Sequence, residues 1–277
     1  GSWETVTPHS AGGGNALLYE GFDTNEDYVV GSLDEQLTVP TQGATGDWSE
    51  DIFEGTRDII AEGLTYTDGM GAELVTDGGA LQLLPGARAR RSIDTSGAFS
   101  EYSLFGSIGA VTGKTLYIAV LLKHGDMLDE TAELSGAAFL GMIGGGSTSF
   151  NTMAVPDVSV NTFGSEQYFL RPYNNNSLQT AFGASINDVA NLWVLKVEFV
   201  DGDNNDVISV YLNPDLSSED ANTPGAVFDS GDFTFDTFEF ARFRDVDDVP
   251  AIFDEFRIGD TWASVTPHTP GAGGSWN

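Results

Sequence analysis

The chain has 277 residues, of which 42 are acidic and 11 are basic, giving a formal net charge of −31. Such a surface repels nucleic acid and anionic membranes, so neither is an expected partner. The chain contains no cysteine, which excludes disulfides, thiolate metal sites and cysteine nucleophiles. No apolar run approaches the roughly 20 residues that span a bilayer, and we expect a secreted or cell-surface protein.

The 34 glycines, together with clusters of Asn, Asp and Ser, punctuate short runs of apolar and aromatic residues. This pattern predicts strands separated by turns, and no stretch shows the spacing of a long amphipathic helix. An all-β chain of this length commonly folds as one sandwich. We therefore expect one β-sandwich over residues 16–262, with Gly-rich linker or junction segments at 1–15 and 263–277.

The first predicted strand, residues 17–22, carries an acid in an apolar phase. Strand alternation places Glu20 between Leu18 and Phe22, on the face that should meet the core. An ionised carboxylate in a core needs a cation, several N–H donors or a proton, because losing its hydration costs several kcal/mol. The strand therefore predicts a buried partner for Glu20.

The next part of the chain offers one aromatic anchor and one predicted hairpin. Trp48 lies in an otherwise polar loop, while residues 72–76 and 80–84 flank an Asp-Gly-Gly turn signal. Three arginines then lie close together, namely Arg88, Arg90 and Arg91. They could bind an acidic sugar or pair with the surrounding acids, and we favour pairing.

Residues 115–122 are apolar on both faces, which predicts a central strand covered on two sides. Residues 192–200 and 207–212 predict the clearest hairpin, with Trp193 on its core face. The joining loop, residues 201–206, is rich in acids but has neither the glycine position nor the final glutamate of an EF-hand. A solvated hairpin tip is the better interpretation.

The closing strand, residues 251–258, repeats the pattern of the first. A strict period of two places Asp254 on the same face as Ile252 and Phe256. Glu20 and Asp254, two inward acids near the ends of the domain, would repel each other unless a cation lay between them. Calcium is the simplest candidate because it accepts several carboxylates and carbonyls. The alternative is that one or both acids meet an arginine or lie in water at a strand end.

A heptapeptide near the end of the chain, Trp-Ala-Ser-Val-Thr-Pro-His, is repeated near its start as Trp-Glu-Thr-Val-Thr-Pro-His. The repetition suggests either a unit of a tandem array or one protein whose two ends play equivalent roles. The candidate junction residues are Trp3, Pro8, His9, Trp262, Pro267 and His268.

The sequence Tyr-Glu-Gly-Phe-Asp from residue 19, the 194–212 hairpin and Phe-Asp-Glu-Phe-Arg-Ile from residue 253 resemble the concanavalin A-like lectin/glucanase superfamily, in particular its laminin-G-like modules. The resemblance implies a jelly-roll sandwich of two antiparallel sheets whose first and last strands lie side by side. It also implies a structural calcium where those strands meet, at the positions of Glu20 and Asp254.

The glycoside hydrolases of that superfamily carry Glu-x-Asp-x-x-Glu on one strand, and this chain lacks that spacing. Two of the three histidines belong to the repeated heptapeptide, so a His-rich metal centre or a Ser-His-Asp triad has no obvious position. We expect a protein that is not an enzyme, with a polysaccharide lyase or hydrolase as a less favoured alternative.

Two functions remain open, and we favour the first. The first is a non-catalytic structural or adhesive module, one unit of a stalk, sheath, filament or adhesin, whose partners are other copies or adjoining repeats. The second is a calcium-dependent carbohydrate-binding module for extracellular polysaccharide. For the second, the candidate stacking residues are Trp48, Tyr168 and Tyr173.

Overall fold

The computed structural model describes residues 16–24, 28–36, 38–39, 41–49, 55–125, 137–144, 153–160, 166–171, 180–184, 188–229, 231–243 and 249–271. Of the strands between residues 153 and 184 only the backbone is described. Within these ranges no helix is long and apolar enough to cross a membrane.

Strands make up nearly all of the regular structure in the described ranges. In chain order they are β1 (Leu18–Glu20), β2 (Gly31–Ser32), β3 (Ala44–Ser49), β4 (Arg57–Ile60), β5 (Glu73–Leu74), β6 (Ala80–Leu83), β7 (Arg88–Ile93), β8 (Ser103–Leu104), β9 (Ser107–Ile108), β10 (Lys114–His124), β11 (Ala137–Ile143), β12 (Met153–Val160), β13 (Glu166–Arg171), β14 (Thr180–Ala184), β15 (Asn191–Phe199), β16 (Val207–Leu212), β17 (Ala226–Phe228), β18 (Thr237–Phe243), β19 (Ala251–Gly259) and β20 (His268–Thr269). A one-turn helix, α1 (Trp262–Val265), follows β19, and two 3-10 turns cover Leu33–Glu35 and Glu219–Ala221.

Two large antiparallel sheets form the molecule. The nine-stranded sheet has the order β17-β16-β15-β10-β19-β6-β4-β2, with β1 also paired to β19, and the seven-stranded sheet has the order β14-β13-β12-β11-β18-β7-β3. Strands that are neighbours in space are mostly distant in sequence, as in a jelly roll. The predicted all-β, two-sheet sandwich is confirmed.

The main core lies between the two sheets. Strand β10 contributes Leu116 and Ile118 from the nine-stranded sheet, and β18 contributes Phe238 and Phe240 from the other. These side chains are fully buried because the alternate residues of each strand face the opposite layer. Strand β10 lies between β15 and β19, which confirms the predicted central strand.

A second apolar cluster covers the outer face of the nine-stranded sheet. It contains the alternate residues of the same strands, such as Leu121 and Tyr211, packed under Leu64, Tyr66 and Trp262. The segments around residues 64 and 262 therefore close this face of the sheet. Residues 262–269 form α1 and β20 and pack on the sheet, so the domain extends past the boundary at 262 that the sequence suggested.

The first strand, β1, and the last long strand, β19, are neighbours, as the resemblance implied. Leu18 pairs with Ile258 and Glu20 pairs with Phe256 in an antiparallel register. The predicted hairpin of residues 72–84 is wrong. Strand β5 pairs with β20, whereas β6 pairs with β4 and β19, because the intervening glycines pass along residues 22–24 and do not turn back.

Strand β19 does not keep the strict alternation that the sequence suggested. Leu121 of β10 lies opposite Asp254, but Ala119, two residues earlier, lies opposite Arg257, three residues later. The extra residue is a β-bulge at Glu255, whose φ is 54°. The bulge puts Phe253 and Phe256 on the same side, in the main core, and Asp254 on the outer face. The prediction that Asp254 shares a face with Phe256 is therefore wrong.

Trp48 provides a test of the core between the sheets. Its ring is 1% exposed, stacks on Phe22 at a centroid distance of 6.1 Å and meets Phe238 edge-on at 5.7 Å. We expect Trp48→Ala to lower the free energy of unfolding by about 3–5 kcal/mol, because it leaves a cavity. Urea denaturation followed by circular dichroism measures the change.

Phe105 is the matched aromatic control, since its side chain is 98% exposed at the turn between β8 and β9. Phe105→Ala should change the free energy of unfolding by less than about 0.5 kcal/mol. Equal effects of the two substitutions would contradict the placement of Trp48 in the core.

Candidate functional site

Glu20 is 3% exposed and lies in the main core with a complete set of partners. Its carboxylate accepts hydrogen bonds from the Phe22 amide at 3.1 Å, from the Tyr28 hydroxyl at 3.0 Å and from the Thr41 hydroxyl. Arg91 donates to the same Thr41 hydroxyl at 2.7 Å and places its charge near the acid. Burial raises the pKa of Glu20, and the Thr41 hydroxyl and the Arg91 charge offset part of that increase.

Asp254 has different partners on the opposite face of the sheet. Its carboxylate accepts the amide of Leu64 at 2.7 Å and the amide of Glu255 at 2.8 Å. Glu20 and Asp254 therefore do not converge on one cation site. No group of three or more acidic or histidine side chains in the described ranges could hold a metal ion. The structural calcium stays a prediction, and the pair of acids on which it rested is divided between two faces.

The bulge creates a buried polar cluster, which we call the bulge cluster: Tyr19, Asp77, Asp254, Glu255 and Arg257. The carboxylate of Glu255 accepts the Asp77 amide at 2.6 Å and a hydrogen bond from Arg257, which also donates to the Val75 carbonyl at 2.7 Å. The Tyr19 hydroxyl lies 2.7 Å from the Asp77 carboxylate and 3.1 Å from that of Glu255. The cluster ties β1, β19 and the segment before β6 together.

Three carboxylates face one guanidinium in the bulge cluster, and two of them, Glu255 and Asp254, hold protons more tightly than acids in water. Burial raises the pKa of Glu255 to about 7, even though the Arg257 charge lowers it. Burial, and then the charge of Glu255, raise the pKa of Asp254 well above its ordinary value. Burial also raises the pKa of the Tyr19 hydroxyl, which therefore stays protonated and able to donate.

Asp254 also fixes the segment of residues 62–70, which crosses the outer face of the nine-stranded sheet. Its bond to the Leu64 amide is the first of three attachments. The Tyr66 hydroxyl donates to the Pro214 carbonyl at 2.7 Å, and the Asp68 carboxylate accepts the Leu216 amide at 3.0 Å. Alternate side chains of this segment point inward, which leaves the hydroxyls of Thr65 and Thr67 exposed.

A second wall stands opposite, formed by residues 188–190 and by Asn213. Asp188 and Asn213 have φ values of 59° and 49°, in the left-handed region that Asp and Asn tolerate better than most residues. The Asn213 side chain accepts the Leu192 amide at 2.9 Å and donates to Asn191 at 2.9 Å. Non-glycine residues held in this region cluster at binding sites, because the surrounding structure must maintain them.

Between the two walls lies an open cleft of about 600 Å³, a size that suits a small ligand. Its charged side chains are Glu62, Lys123 and Asp188, and the exposed methyl groups of Val189 supply an apolar edge. The remaining lining residues are Gly63, Leu64, Thr65, Tyr66, Thr67, Gly69, Ala190 and Asn213. The cleft therefore presents hydroxyl, amide, carboxylate and ammonium groups to a polar ligand.

Sequence reasoning missed this cleft. Thr65, Thr67 and Asp188 carry no motif, and their meeting depends on the fold, because residues 62–69 and 188–190 are far apart in the chain. The one local pattern is the alternation around Tyr66, which is typical of an extended segment but does not indicate a ligand site.

The predicted sugar-stacking aromatics do not line the cleft in the described part of the chain. Trp48 is buried in the main core, where its Nε1 donates to the Tyr28 hydroxyl at 3.0 Å, so its assignment to a sugar site is wrong. Tyr168 lies on β13, of which only the backbone is described. Tyr173 lies outside the described residues.

The arginine group is used for pairing, as favoured from the sequence. Arg90 donates through two nitrogens to the Glu239 carboxylate, at 2.9 and 2.7 Å, and Glu239 is fully buried. Arg91 faces the other side of β7. There it donates to the Thr41 hydroxyl beside Glu20 and lies 5.5 Å from the centroid of the Trp48 ring.

The candidate junction residues fall into two groups. Trp3, Pro8 and His9 lie outside the described residues. Trp262 is 6% exposed on the outer face of its own sheet, and His268 pairs with Leu74. Trp262 and Pro267 are thus part of the domain and not of a linker, because their side chains are buried against it.

No family model and no curated protein matches the chain. The solved structures that are similar to the chain include glycosyl hydrolase family proteins from two Mycobacterium species, binding domains of a botulinum neurotoxin and a carbohydrate recognition domain.

Three of these structures illustrate the level of similarity. A glycosyl hydrolase family protein from Mycobacterium fortuitum has 9% identity and a TM-score of 0.46, with 88% of this chain and 99% of that chain covered. The binding domain of botulinum neurotoxin DC in complex with SialylT has 9% identity and a TM-score of 0.42, with 86% and 48% covered. The Emp46p carbohydrate recognition domain, in its potassium-bound form, has 12% identity and a TM-score of 0.39, with 69% and 87% covered. The chain thus spans about half the length of the neurotoxin chain.

The bulge cluster predicts an unusual dependence of stability on pH. Glu255 has a pKa of about 7 in the folded chain against an ordinary value of 4.5, so the folded state binds more protons between these values. The free energy of unfolding should therefore fall as the pH rises from about 4.5 to about 7, with Asp254 acting in the same direction. Glu255→Gln should flatten this slope, as measured by urea denaturation at a series of pH values.

Glu101→Gln is the control, because it removes a carboxylate that is 76% exposed without touching the bulge cluster. A wild-type stability that rises with pH over the same interval, or a slope that Glu255→Gln leaves intact, would contradict the assignment.

Proposed function

We propose that the protein is a non-catalytic carbohydrate-binding module of a secreted or cell-surface protein, and that the cleft between residues 62–69 and 188–190 is its binding site. The observation that carries this proposal is the polar lining of the cleft, whose two walls are held by hydrogen bonds. One wall is held by Asp254, Tyr66 and Asp68, and the other by the hydrogen bonds of Asn213. A site fixed before binding loses little conformational entropy when a ligand enters.

The groups in the cleft suit a sugar. Each sugar hydroxyl both donates and accepts, and the cleft offers acceptors on Glu62 and Asp188, a donor on Lys123 and hydroxyls on Thr65 and Thr67 that do both. The C–H edge of a sugar ring can pack on the exposed Val189. A wholly apolar ligand would leave these polar groups without partners and is disfavoured.

Charge narrows the ligand class. The cleft has two carboxylates and one ammonium group, and the whole chain has a net charge of −31. Sulfated and uronic polymers would be repelled by this field. We therefore expect neutral glycans, or glycans with amino sugars, as the ligands.

The non-catalytic part of the proposal rests on the sequence. Retaining glycosidases need two carboxylates about 5–5.5 Å apart as nucleophile and acid. The superfamily places them with the spacing Glu-x-Asp-x-x-Glu on one strand, which this chain does not contain. Glu62 and Asp188, the carboxylates of the cleft, come instead from separate loops and serve as hydrogen-bond acceptors.

A structural or adhesive module joined through its ends is the second candidate. It is favoured by the repeated heptapeptide at the two ends of the chain. The two functions are compatible, since an adhesin can both assemble and bind glycans.

The test is a glycan array that includes neutral, amino, uronic and sulfated oligosaccharides, followed by titration calorimetry with the best-bound oligosaccharide. Asp188→Asn should weaken binding by about 10- to 100-fold, because a hydrogen bond to a charged group contributes about 1.5–3 kcal/mol. Asparagine retains the tolerance for the left-handed backbone at this position.

Asp203→Asn, in the exposed β15–β16 loop, is the matched control, since it makes the same charge change outside the cleft. It should leave the affinity unchanged. No binding to any glycan, with or without millimolar calcium, or equal affinities of the wild type and Asp188→Asn, would remove the proposal.

A further inference from the structure

The segment of residues 261–268, which we call the closing segment, fills a socket on the outer face of the nine-stranded sheet. The socket is formed by Tyr117, Tyr211 and Leu216. Trp262 enters it edge-on, with centroid distances of 5.2 Å to Tyr211 and 6.2 Å to Tyr117. Its Nε1 donates to the Leu216 carbonyl at 3.2 Å, so both the shape and the polar group of the indole are recognised.

Other positions of the closing segment have equally specific roles. The Thr261 hydroxyl caps α1 by accepting the Ser264 amide at 3.2 Å, and the Ser264 hydroxyl donates to the Thr261 carbonyl at 2.7 Å. The Thr266 hydroxyl donates to the Trp262 carbonyl at 2.9 Å. The Pro267 carbonyl accepts the Val75 amide at 2.8 Å. Between Trp262 and Pro267 only Ala263 is exposed.

Residues 2–9 repeat this set of groups. Trp, Val, Thr, Pro and His are identical at five of the eight aligned positions, and the two hydroxyl positions exchange Ser and Thr. The one change of chemical type replaces the exposed Ala263 by Glu4. The buried positions of the closing segment therefore have the same residue, or another residue with a hydroxyl group, in residues 2–9.

The first described strand, β1, pairs with β19, the strand that leads into the closing segment. The Leu17 amide donates to the Ile258 carbonyl at 2.7 Å, four residues before Trp262. Residues 10–16 join this point to residue 9, and seven residues can span up to about 24 Å. A tethered segment at this distance has an effective concentration of about a millimolar, far above that of a second chain in dilute solution.

We propose that residues 2–9 are a second ligand of the socket and can replace the closing segment within the same chain. The socket then selects for the shared pattern of tryptophan, hydroxyls, valine and proline, and either end of the chain can supply it. When residues 2–9 are seated, the closing segment is released and becomes available to other partners.

The experiment removes each tryptophan alone and together in the full chain. Trp3→Ala alone should shift the Tm by less than about 1 °C, because the closing segment holds the socket. In the Trp262→Ala background, Trp3→Ala should lower the Tm by about 4 °C more, since the second ligand is lost as well. Glu4→Ala in the same background is the control, and it should have no effect.

Light scattering identifies the source of the second ligand. A monomeric Trp262→Ala variant whose Tm depends on Trp3 supports the proposal. Association of that variant through Trp3 would overturn the assignment within one chain and make a second copy the partner. If Trp3→Ala changes the Tm equally in the wild type and in the Trp262→Ala background, the proposal is overturned. If Trp262→Ala does not fold, Trp262→Phe, which keeps part of the ring contact, allows the same comparison.

Discussion

The β-bulge at Glu255 is the constraint on which the arrangement of both faces depends. Without the extra residue, a strand that places Phe253 in the core would turn Phe256 and Ile258 outward, because a shift of one residue inverts every side chain that follows. The carboxylate of Asp254 satisfies the amide of Glu255 at the point where the regular ladder is interrupted. The bulge and this buried acid thus stabilise each other.

The same acid connects the bulge to the cleft. Asp254 accepts the Leu64 amide with its second oxygen, and so the segment that forms one wall is held by the central part of the nine-stranded sheet. Tyr66 and Asp68 extend the connection toward residues 214–216, which also receive Trp262 in the socket. The cleft and the socket are therefore neighbouring parts of one layer that covers the sheet.

Regular alternation is what made much of the sandwich predictable. The pattern of β10 and of the β15–β16 hairpin appears in the structure as predicted, and β1 and β19 are neighbours. The bulge could not be predicted, because Glu255 is not a residue that marks a left-handed backbone. The Asp-Gly-Gly signal after β5 failed for a tertiary reason, since β20 and β4 offered better partners than a local hairpin. No sequence motif marked the cleft as a ligand site, because its two walls are brought together only by the fold.

The acidic composition has a consequence for what the surface can bind. Arg57, Arg88, Arg91, Arg242 and Arg257 are all less than 9% exposed. Several of them face buried acids, as Arg257 faces Glu255 and Arg88 faces Glu239. Four of the described arginines, Arg88, Arg90, Arg91 and Arg257, thus lie near buried carboxylates, whose desolvation would otherwise be uncompensated. The surface is left strongly acidic, and Lys123 in the cleft is one of only three lysines in the chain. A ligand must approach through this negative field, which is why uncharged or cationic sugars suit the cleft better than acidic ones.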